Sequence, residues 1–188
     1  MGKVRIPLDV SMYPMPVVLV GAMVAGRPNF LTVPWVSRVN YEPPMLAIAL
    51  GRGHYTNPGI EESGAFSVNV PDVEMVHKVD FCGMVSGREC DKSRLFQLFY
   101  GESTGVPMIN DCPLCLGCRL AQKVELPGDV LSIGQIVEAY AEQRSLRRGR
   151  LDVQKLRPFV LTVPDNTYWT LGEPVAKAWN VGRKVKVR

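Results

Sequence analysis

The sequence predicts a mainly β protein, built as one antiparallel β-barrel with a few short peripheral helices. Its apolar runs are short and rich in β-branched residues. Turn signals separate them, as in Ala25-Gly26-Arg27-Pro28, and these signals suit antiparallel hairpins. Several runs are apolar at consecutive positions, which indicates strands that are buried on both faces or closed into a barrel.

Seven strands follow from this pattern. A turn at Pro127, Gly128 and Asp129 joins the two longest strands and favours a hairpin. The predicted strands span Val17 to Ala25, Phe30 to Val36, Met45 to Leu50, Phe66 to Val70, Arg119 to Leu126, Val130 to Glu142 and Phe159 to Val163.

Three short helices are predicted between the strands, each from a start or stop signal. Their shortness places them at the periphery of the barrel. They run from about Pro58 to Ser63 before Gly64, from Val73 to Phe81 after the capping residue Asp72, and from Lys92 to Phe99 after the capping residue Asp91.

The composition is that of an ordinary globular protein. With 188 residues, 46% of them hydrophobic and 21% charged, the chain fits a single domain over 1–188. The longest apolar run, Val17 to Ala25, is too short to cross a bilayer, and the first residues lack the pattern of a secretory signal. We therefore expect a cytoplasmic protein whose five cysteines stay reduced.

The net charge of +4 is concentrated at the end of the chain. A basic tail of this kind, together with the cluster from Arg144 to Arg150, can hold an acidic partner, so a non-catalytic β-barrel binding module is one alternative function. Nucleic acid is not the expected partner, because no aromatic residues alternate with these charges. The basic residues that follow the last acidic residue are Lys177, Arg183, Lys184, Lys186 and Arg188.

The segment from Gly51 to Pro58 carries the signals of an anion site. Thr56 or Asn57 fits the N-cap of the first helix and Pro58 its first position, so free backbone N–H groups would attract an anion to the loop. Arg52 adds a guanidinium that can bind two phosphate oxygens at once. The alternative is an ordinary helix cap beside a surface arginine.

A second polar cluster, Cys82 to Lys92, again places Gly, Ser, Arg and Lys close together. With it, an ordered set of motifs resembles the flavoredoxin branch of the flavin reductase-like family, whose members are FMN-binding split barrels. The similarity runs from about Pro14 to Pro174, which sets the core at 14–174 and leaves 175–188 as a basic tail. The motifs are Asn29-x-x-Thr32-x-x-Trp35, Gly51-x-x-His54-x-Thr56-x-x-x-Ile60, Phe66-Ser-Val-Asn-Val70 and Cys82-Gly-x-x-Ser-Gly-Arg-x-x-Asp-Lys92.

The resemblance implies a six-stranded antiparallel split β-barrel that binds FMN and acts as an oxidoreductase. Electrons would pass from NADH, NADPH or a redox partner protein through FMN to an acceptor such as flavin, ferric iron or a protein. The chemistry would occur at N5 of the flavin, so no catalytic side chain is expected. The family also implies a homodimer with its flavin sites near the interface, and no membrane contact.

The resemblance also implies which residues hold the flavin. The ring and the ribityl chain would be lined by Asn29, Thr32, Pro34, Trp35, Val36 and Ser37. The phosphate side would be held by Arg52, His54, Tyr55, Thr56 and Asn57. The other side of the cleft, or the partner subunit, would supply Ser86, Gly87 and Lys92, and the pocket would be closed by Tyr168. Some have a purely structural alternative: a core aromatic for Trp35, a turn cap for His54 and an exposed helix residue for Lys92.

The segment Cys112-Pro-Leu-Cys115-Leu-Gly-Cys118 holds two overlapping Cys-x-x-Cys spacings. A zinc or iron site there is a second alternative function, but no fourth ligand stands at a recognisable spacing. A redox-active dithiol would lack the βαβ context of such motifs. We therefore expect inert, partly buried thiols and no metal.

Overall fold

The structure is a computed structural model that describes residues 2–8, 14–163 and 165–185. Three residues of the predicted basic tail, Lys186, Val187 and Arg188, lie outside the described residues. The described strands are β1 (Met15–Pro16), β2 (Val18–Val24), β3 (Arg27–Val33), β4 (Val36–Asn40), β5 (Met45–Gly51), β6 (Ala65–Val70), β7 (Leu98–Tyr100), β8 (Pro107–Ile109), β9 (Leu114–Glu125), β10 (Asp129–Ala141), β11 (Leu146–Arg147), β12 (Arg150–Leu151), β13 (Phe159–Thr162) and β14 (Thr167–Thr170).

The helices are short and lie between the strands, as predicted. Among the described residues, no helix has the length and apolar character needed to span a membrane. The helices are α1 (Thr56–Ser63), α2 (Val76–Met84) and α3 (Val153–Leu156), with 3-10 turns at Val73–Met75, Lys92–Leu95, Gln143–Ser145 and Val181–Lys184.

The third predicted helix, from Lys92 to Phe99, is wrong. Only Lys92–Leu95 forms a helical turn, which the Asp91 side chain caps as predicted. The backbone is extended again at Phe96, and Leu98–Tyr100 pairs as β7 with β8. Pairing between these two strands therefore overrides the local helix signal.

The predicted N-cap of the first helix is also wrong, because α1 begins earlier than expected. Tyr55 occupies the N-cap position without a side-chain cap, while Thr56 and Asn57 lie inside the helix. The Thr56 hydroxyl instead accepts a hydrogen bond from Nδ2 of Asn29 at 2.9 Å. Gly64 ends the helix in the left-handed conformation, with φ 63°, as its position in the sequence predicted.

Seven antiparallel strands form the main sheet, in the order β3-β2-β6-β9-β10-β5-β4, where the resemblance implied six. The sequence did not predict β4, because four of its five residues are exposed and give no apolar signal. The predicted hairpin between the two longest strands is confirmed by the pairing of β9 with β10. A smaller sheet joins β1, β13 and β14, of which β1 and β14 were not predicted.

Two buried apolar clusters fill the interior. One lies beneath α2 and includes Phe30 and Val79, and the other lies between β2, β5 and β6 and includes Ile48. Helix α1 packs directly on β2, since a Cβ at Gly59 would lie 2.1 Å from the Met23 carbonyl oxygen. This close packing fixes the start of α1 beside β3, where the functional residues gather.

Candidate functional site

Three adjoining cavities contain most of the predicted site residues. The polar cavity, of about 410 Å³, lies between β3, the loop before α1 and the loop after α2, and is lined by Lys92. The middle cavity, of about 350 Å³, shares His54 with the polar cavity. The apolar cavity, of about 850 Å³, shares Pro34, Trp35 and Ala49 with the middle cavity. The shared residues place the three cavities in a row.

This row brings together all but three of the predicted flavin residues. The polar cavity is lined by Asn29, His54, Tyr55, Thr56, Ser86, Gly87 and Lys92. The middle cavity adds Thr32, Pro34 and Trp35. The apolar cavity adds Val36 and Ser37.

Lys92 is one of three charged residues that line the polar cavity, together with Arg88 and Glu89. The residue is only 2% exposed, so it is not the exposed helix residue of the structural alternative. Its Nζ donates hydrogen bonds to the carbonyl oxygens of Cys82, at 3.0 Å, and Val85, at 2.9 Å. Among the described residues no carboxylate lies within ion-pair distance, and burial lowers the pKa of the amine. A buried cation without an acidic partner is costly, so an anion in this cavity would be stabilised.

Gly87 also lines the polar cavity and is closely packed. A Cβ at this position would lie 2.0 Å from Oδ1 of Asn29 and 2.7 Å from Cδ1 of Tyr55. Asn29 in turn is held by its hydrogen bond to Thr56. Only glycine therefore lets the loop after α2 approach β3 and the start of α1 this closely.

Arg88 also lines the polar cavity, although the sequence argument did not assign it a role. Its Nη1 donates to the carbonyl oxygen of Gly53 at 3.0 Å, and its guanidinium lies 5.2 Å from the centre of the Tyr55 ring. These contacts tie the loop after α2 to the loop before α1. The signal was present, because Arg88 belongs to the Ser-Gly-Arg motif that carried the resemblance.

His54 lies at the junction of the polar and middle cavities. Its backbone N–H donates to the carbonyl oxygen of Gly51 at 2.9 Å, which closes a tight turn after β5. Burial is the main cause that lowers the pKa of the imidazole, with Asp129 opposing this effect and Lys92 adding to it. The imidazole is therefore neutral at neutral pH and can donate or accept a hydrogen bond to a polar chain that passes between the cavities.

Three predicted residues line none of these cavities. Arg52 donates from Nε to the carbonyl oxygen of Leu126 and forms an ion pair with Glu125, both at 2.7 Å. Asn57 donates to the carbonyl oxygen of Gly51 from inside α1, and its Oδ1 is buried without a hydrogen bond. Tyr168 donates to Asp80 at 3.0 Å. Flavin binding by these three residues stays a prediction.

The cysteines of the Cys112 to Cys118 segment are buried, and none forms a disulfide. Burial raises the pKa of Cys115 and of Cys118 to about 12, so both thiols stay protonated. A protonated thiol is a poor metal ligand and a poor nucleophile. Among the described residues, no group of three or more His, Cys, Asp or Glu side chains is arranged to hold a metal ion.

Together, the fold and the cavities define a class of protein: a β-barrel with a row of cavities that is polar at one end and apolar at the other. Comparison with known proteins makes this specific. Residues 10–155 match the flavin reductase like domain, and the chain belongs to this family. The resemblance inferred from the motifs is thereby confirmed.

Solved structures agree with this assignment. Flavoredoxin from Methanosarcina acetivorans is 46% identical, with a TM-score of 0.95 over 97% of this chain and 98% of that chain. Flavoredoxin of Desulfovibrio vulgaris (Miyazaki F) is 29% identical, with a TM-score of 0.89 over 97% of this chain and 100% of that chain. A split barrel domain from Shewanella frigidimarina is 18% identical, with a TM-score of 0.80 over 90% of this chain and 88% of that chain. The predicted split-barrel class is confirmed.

Proposed function

We propose that the protein is an FMN-binding flavoprotein of the flavoredoxin type, an oxidoreductase that passes electrons between NADH, NADPH or a redox partner protein and an acceptor. The observation that carries this proposal is the buried amine of Lys92, which lines the polar cavity without an acidic partner. The similarity to two flavoredoxins supports it.

The residues of the three cavities fit FMN along its length. Lys92 would bind the phosphate in the polar cavity, where Gly87 lets the loop after α2 pack closely against Asn29 and Tyr55. His54 would contact the ribityl chain between the cavities. Pro34 and Trp35 would form apolar walls for the ring. The order of these groups, from charged to apolar, matches the order of phosphate, ribityl chain and ring in FMN.

When bound, FMN supplies an N5 atom that accepts and releases hydride or single electrons. The protein then has to bind the phosphate, orient the ring and limit access of water to it. No side chain among the described residues of the three cavities is needed as a general acid or base. The acceptor in this proposal is a flavin, ferric iron or a protein.

We further propose a homodimer and a cytoplasmic location. The C-terminal segment exposes Val175, Trp179 and Val181, and apolar side chains exposed in this way suit burial against a second copy. Five free cysteines suit a reducing compartment. Light scattering over a range of protein concentrations tests the dimer, and a monomer at every concentration would contradict it.

The test of the function is an absorption spectrum of the purified protein before and after addition of FMN, followed by NADH and NADPH without oxygen. Flavin bands that bleach with a nicotinamide support a reductase. Bands that persist until a chemical reductant is added support a carrier that another protein reduces. Failure to bind FMN would overturn the proposal and favour the binding-module alternative.

A further inference from the structure

The C-terminal arm, residues 175–185, follows the small sheet without being buried against it. Val175 is 101% exposed and Trp179 is 93% exposed, and every residue from 171 to 183 is exposed. Within the part of the chain that the structure describes, the backbone hydrogen bonds of the arm are local, such as that from the Val181 N–H to the Lys177 carbonyl oxygen at 3.2 Å. The arm therefore carries apolar side chains that its own chain leaves uncovered.

Trp179 is also held in an unfavourable backbone conformation. Its φ of 56° lies in the left-handed region, which a bulky residue rarely adopts. Residues in such conformations are usually maintained by the packing around them. A Trp side chain that is 93% exposed has little packing within its own chain, so a contact outside the chain is expected.

A cavity of about 730 Å³, which we call the α3 groove, lies between α3 and the segment that follows β14. None of the predicted flavin residues lines it, so it is separate from the three cavities of the candidate flavin site. Much of its lining is apolar, and a cavity of this size and character suits an aromatic ring. The apolar lining residues are Val73, Val153, Pro158, Leu171 and Pro174.

The path of the chain leads the arm away from its own groove. Leu171 and Pro174 line the α3 groove, whereas Val175, the next residue, is fully exposed. In a twofold dimer, the surface near the axis contacts the same surface of the other copy. An axis close to Pro174 would therefore carry each arm to the groove of the partner. Trp179 lies five residues beyond Pro174, a reach of at most about 17 Å.

The charges of the groove and the arm are complementary. Glu173 lines the α3 groove, and Lys177 lies on the exposed arm. Neither residue forms an ion pair among the described residues. Exchange of the arms would bring the lysine of one copy towards the glutamate of the other, which favours a second copy over an unrelated apolar ligand.

We propose that the α3 groove binds the C-terminal arm of a second copy of this chain, with Trp179 as the side chain that fills it. The exchange is reciprocal, so one dimer contains two such contacts. This inference rests on the homodimer put forward under the proposed function and is independent of the redox activity. It assigns the groove and the arm to one interface.

Sedimentation of the full-length protein over a range of concentrations tests the anchor. Trp179→Ser should raise the dissociation constant of the dimer at least about a hundredfold, because a buried Trp is a dominant interface contact and the dimer loses two of them. Trp179→Phe keeps an aromatic ring and is the matched variant, with an expected increase below about tenfold. Equal dissociation constants for the wild type and Trp179→Ser would overturn the arm exchange and leave the dimer itself standing.

Disulfide cross-linking tests where the arm binds. Gln154→Cys places a thiol on the groove, and Ala178→Cys places one beside Trp179 on the arm, so the double variant should form a covalent dimer on mild oxidation. The single variants should not, and neither should Tyr41→Cys combined with Ala178→Cys, since Tyr41 is 88% exposed and lies outside the groove.

The remaining outcomes separate the arm exchange from the proposed function. A disulfide within one chain of the double variant, or covalent dimers of equal yield in the controls, would overturn the exchange. A wild type that stays monomeric at every concentration would overturn both the exchange and the homodimer. A covalent dimer of the Gln154→Cys and Ala178→Cys double variant in a protein that fails to bind FMN would support the exchange and contradict the flavin function alone.

Discussion

Two basic residues that the sequence predicts in the flavin site, Lys92 and Arg52, lie in opposite surroundings. Lys92 is 2% exposed as a residue, and its amine donates to two backbone carbonyls. The Arg52 side chain is 47% exposed and forms an ion pair with Glu125. The fold therefore leaves one positive charge available to a ligand and neutralises the other.

The energetic consequences differ as well. A buried cation without an acidic partner loses its hydration, and an arriving phosphate compensates for that loss. An exposed ion pair is already solvated, and it contributes only about 0–1 kcal/mol to stability. The local environment of each charge, more than its presence in a motif, decides whether it forms a binding site.

The largest effect is expected from Lys92→Met. Loss of one charge-assisted contact should weaken FMN binding about ten- to hundredfold. Riboflavin, which lacks the phosphate, should bind equally well to the variant and the wild type. Fluorescence titration of both flavins measures this difference, with circular dichroism as the check on folding.

Arg52→Met is the matched variant for this comparison. Because Arg52 lines none of the three cavities, its removal should change FMN affinity by less than about threefold, which corresponds to well under 1 kcal/mol. A loss of FMN affinity as large as that of Lys92→Met would indicate that Arg52 does bind the phosphate. That result would contradict the distinction drawn between the two residues.

Two glycines, Gly87 and Gly128, give a second comparison between the polar cavity and the surroundings of Arg52. Gly87→Ala should weaken FMN binding about tenfold and lower the free energy of unfolding by about 1–3 kcal/mol, since its Cβ would lie 2.0 Å from Asn29. Gly128 accepts a hydrogen bond from the Arg52 backbone at 3.0 Å, and a Cβ there would meet nothing within 4 Å. Gly128→Ala should therefore leave both quantities nearly unchanged. Urea denaturation and FMN titration of the two variants check this, and equal effects would show that Gly87 does not shape the cavity.

The same residues show which parts of the site can be predicted from the sequence. Motif order placed Lys92, Gly87 and Thr56 in one site, because the spacing of a family pattern reflects the three-dimensional arrangement. It could not show that the Arg52 side chain turns to the β9–β10 hairpin, since Glu125 lies 73 residues further along the chain. Side-chain direction depends on long-range neighbours, and no local pattern reports it.

The same limit applies to the fold. Strong apolar strands such as β2 and β5 were predicted, whereas β4 was missed because most of its residues are exposed. The helix signal after Asp91 was correct for one turn only, since β7 pairs with β8 a few residues later. Tertiary contacts, and not the local sequence pattern, determine β4, β7 and β8.

The pH dependence of stability and of FMN affinity tests the role that is proposed for Lys92. Burial lowers the pKa of its amine below the ordinary value of 10.5, so between the lowered pKa and 10.5 the unfolded chain binds more protons than the folded one. Stability without ligand should therefore rise with pH across that interval. FMN affinity should fall across the same interval, because the phosphate favours the protonated amine. Lys92→Met should remove both trends, and a wild-type affinity that is flat in this range would place the phosphate away from Lys92.

The smallest effect is expected for the ion pair of Arg52. Arg52→Met should lower the free energy of unfolding by less than about 1 kcal/mol, because both side chains are close to half exposed. Part of that loss should disappear at high salt, where the ion pair is screened, and the remainder would come from the hydrogen bond to the Leu126 carbonyl. Urea denaturation at low and high salt measures the two parts. A loss of unfolding free energy well above 1 kcal/mol that salt does not reduce would mean that Arg52 stabilises the hairpin mainly through the hydrogen bond. In that case Glu125 would neutralise the charge of Arg52 less fully than the comparison with Lys92 assumes.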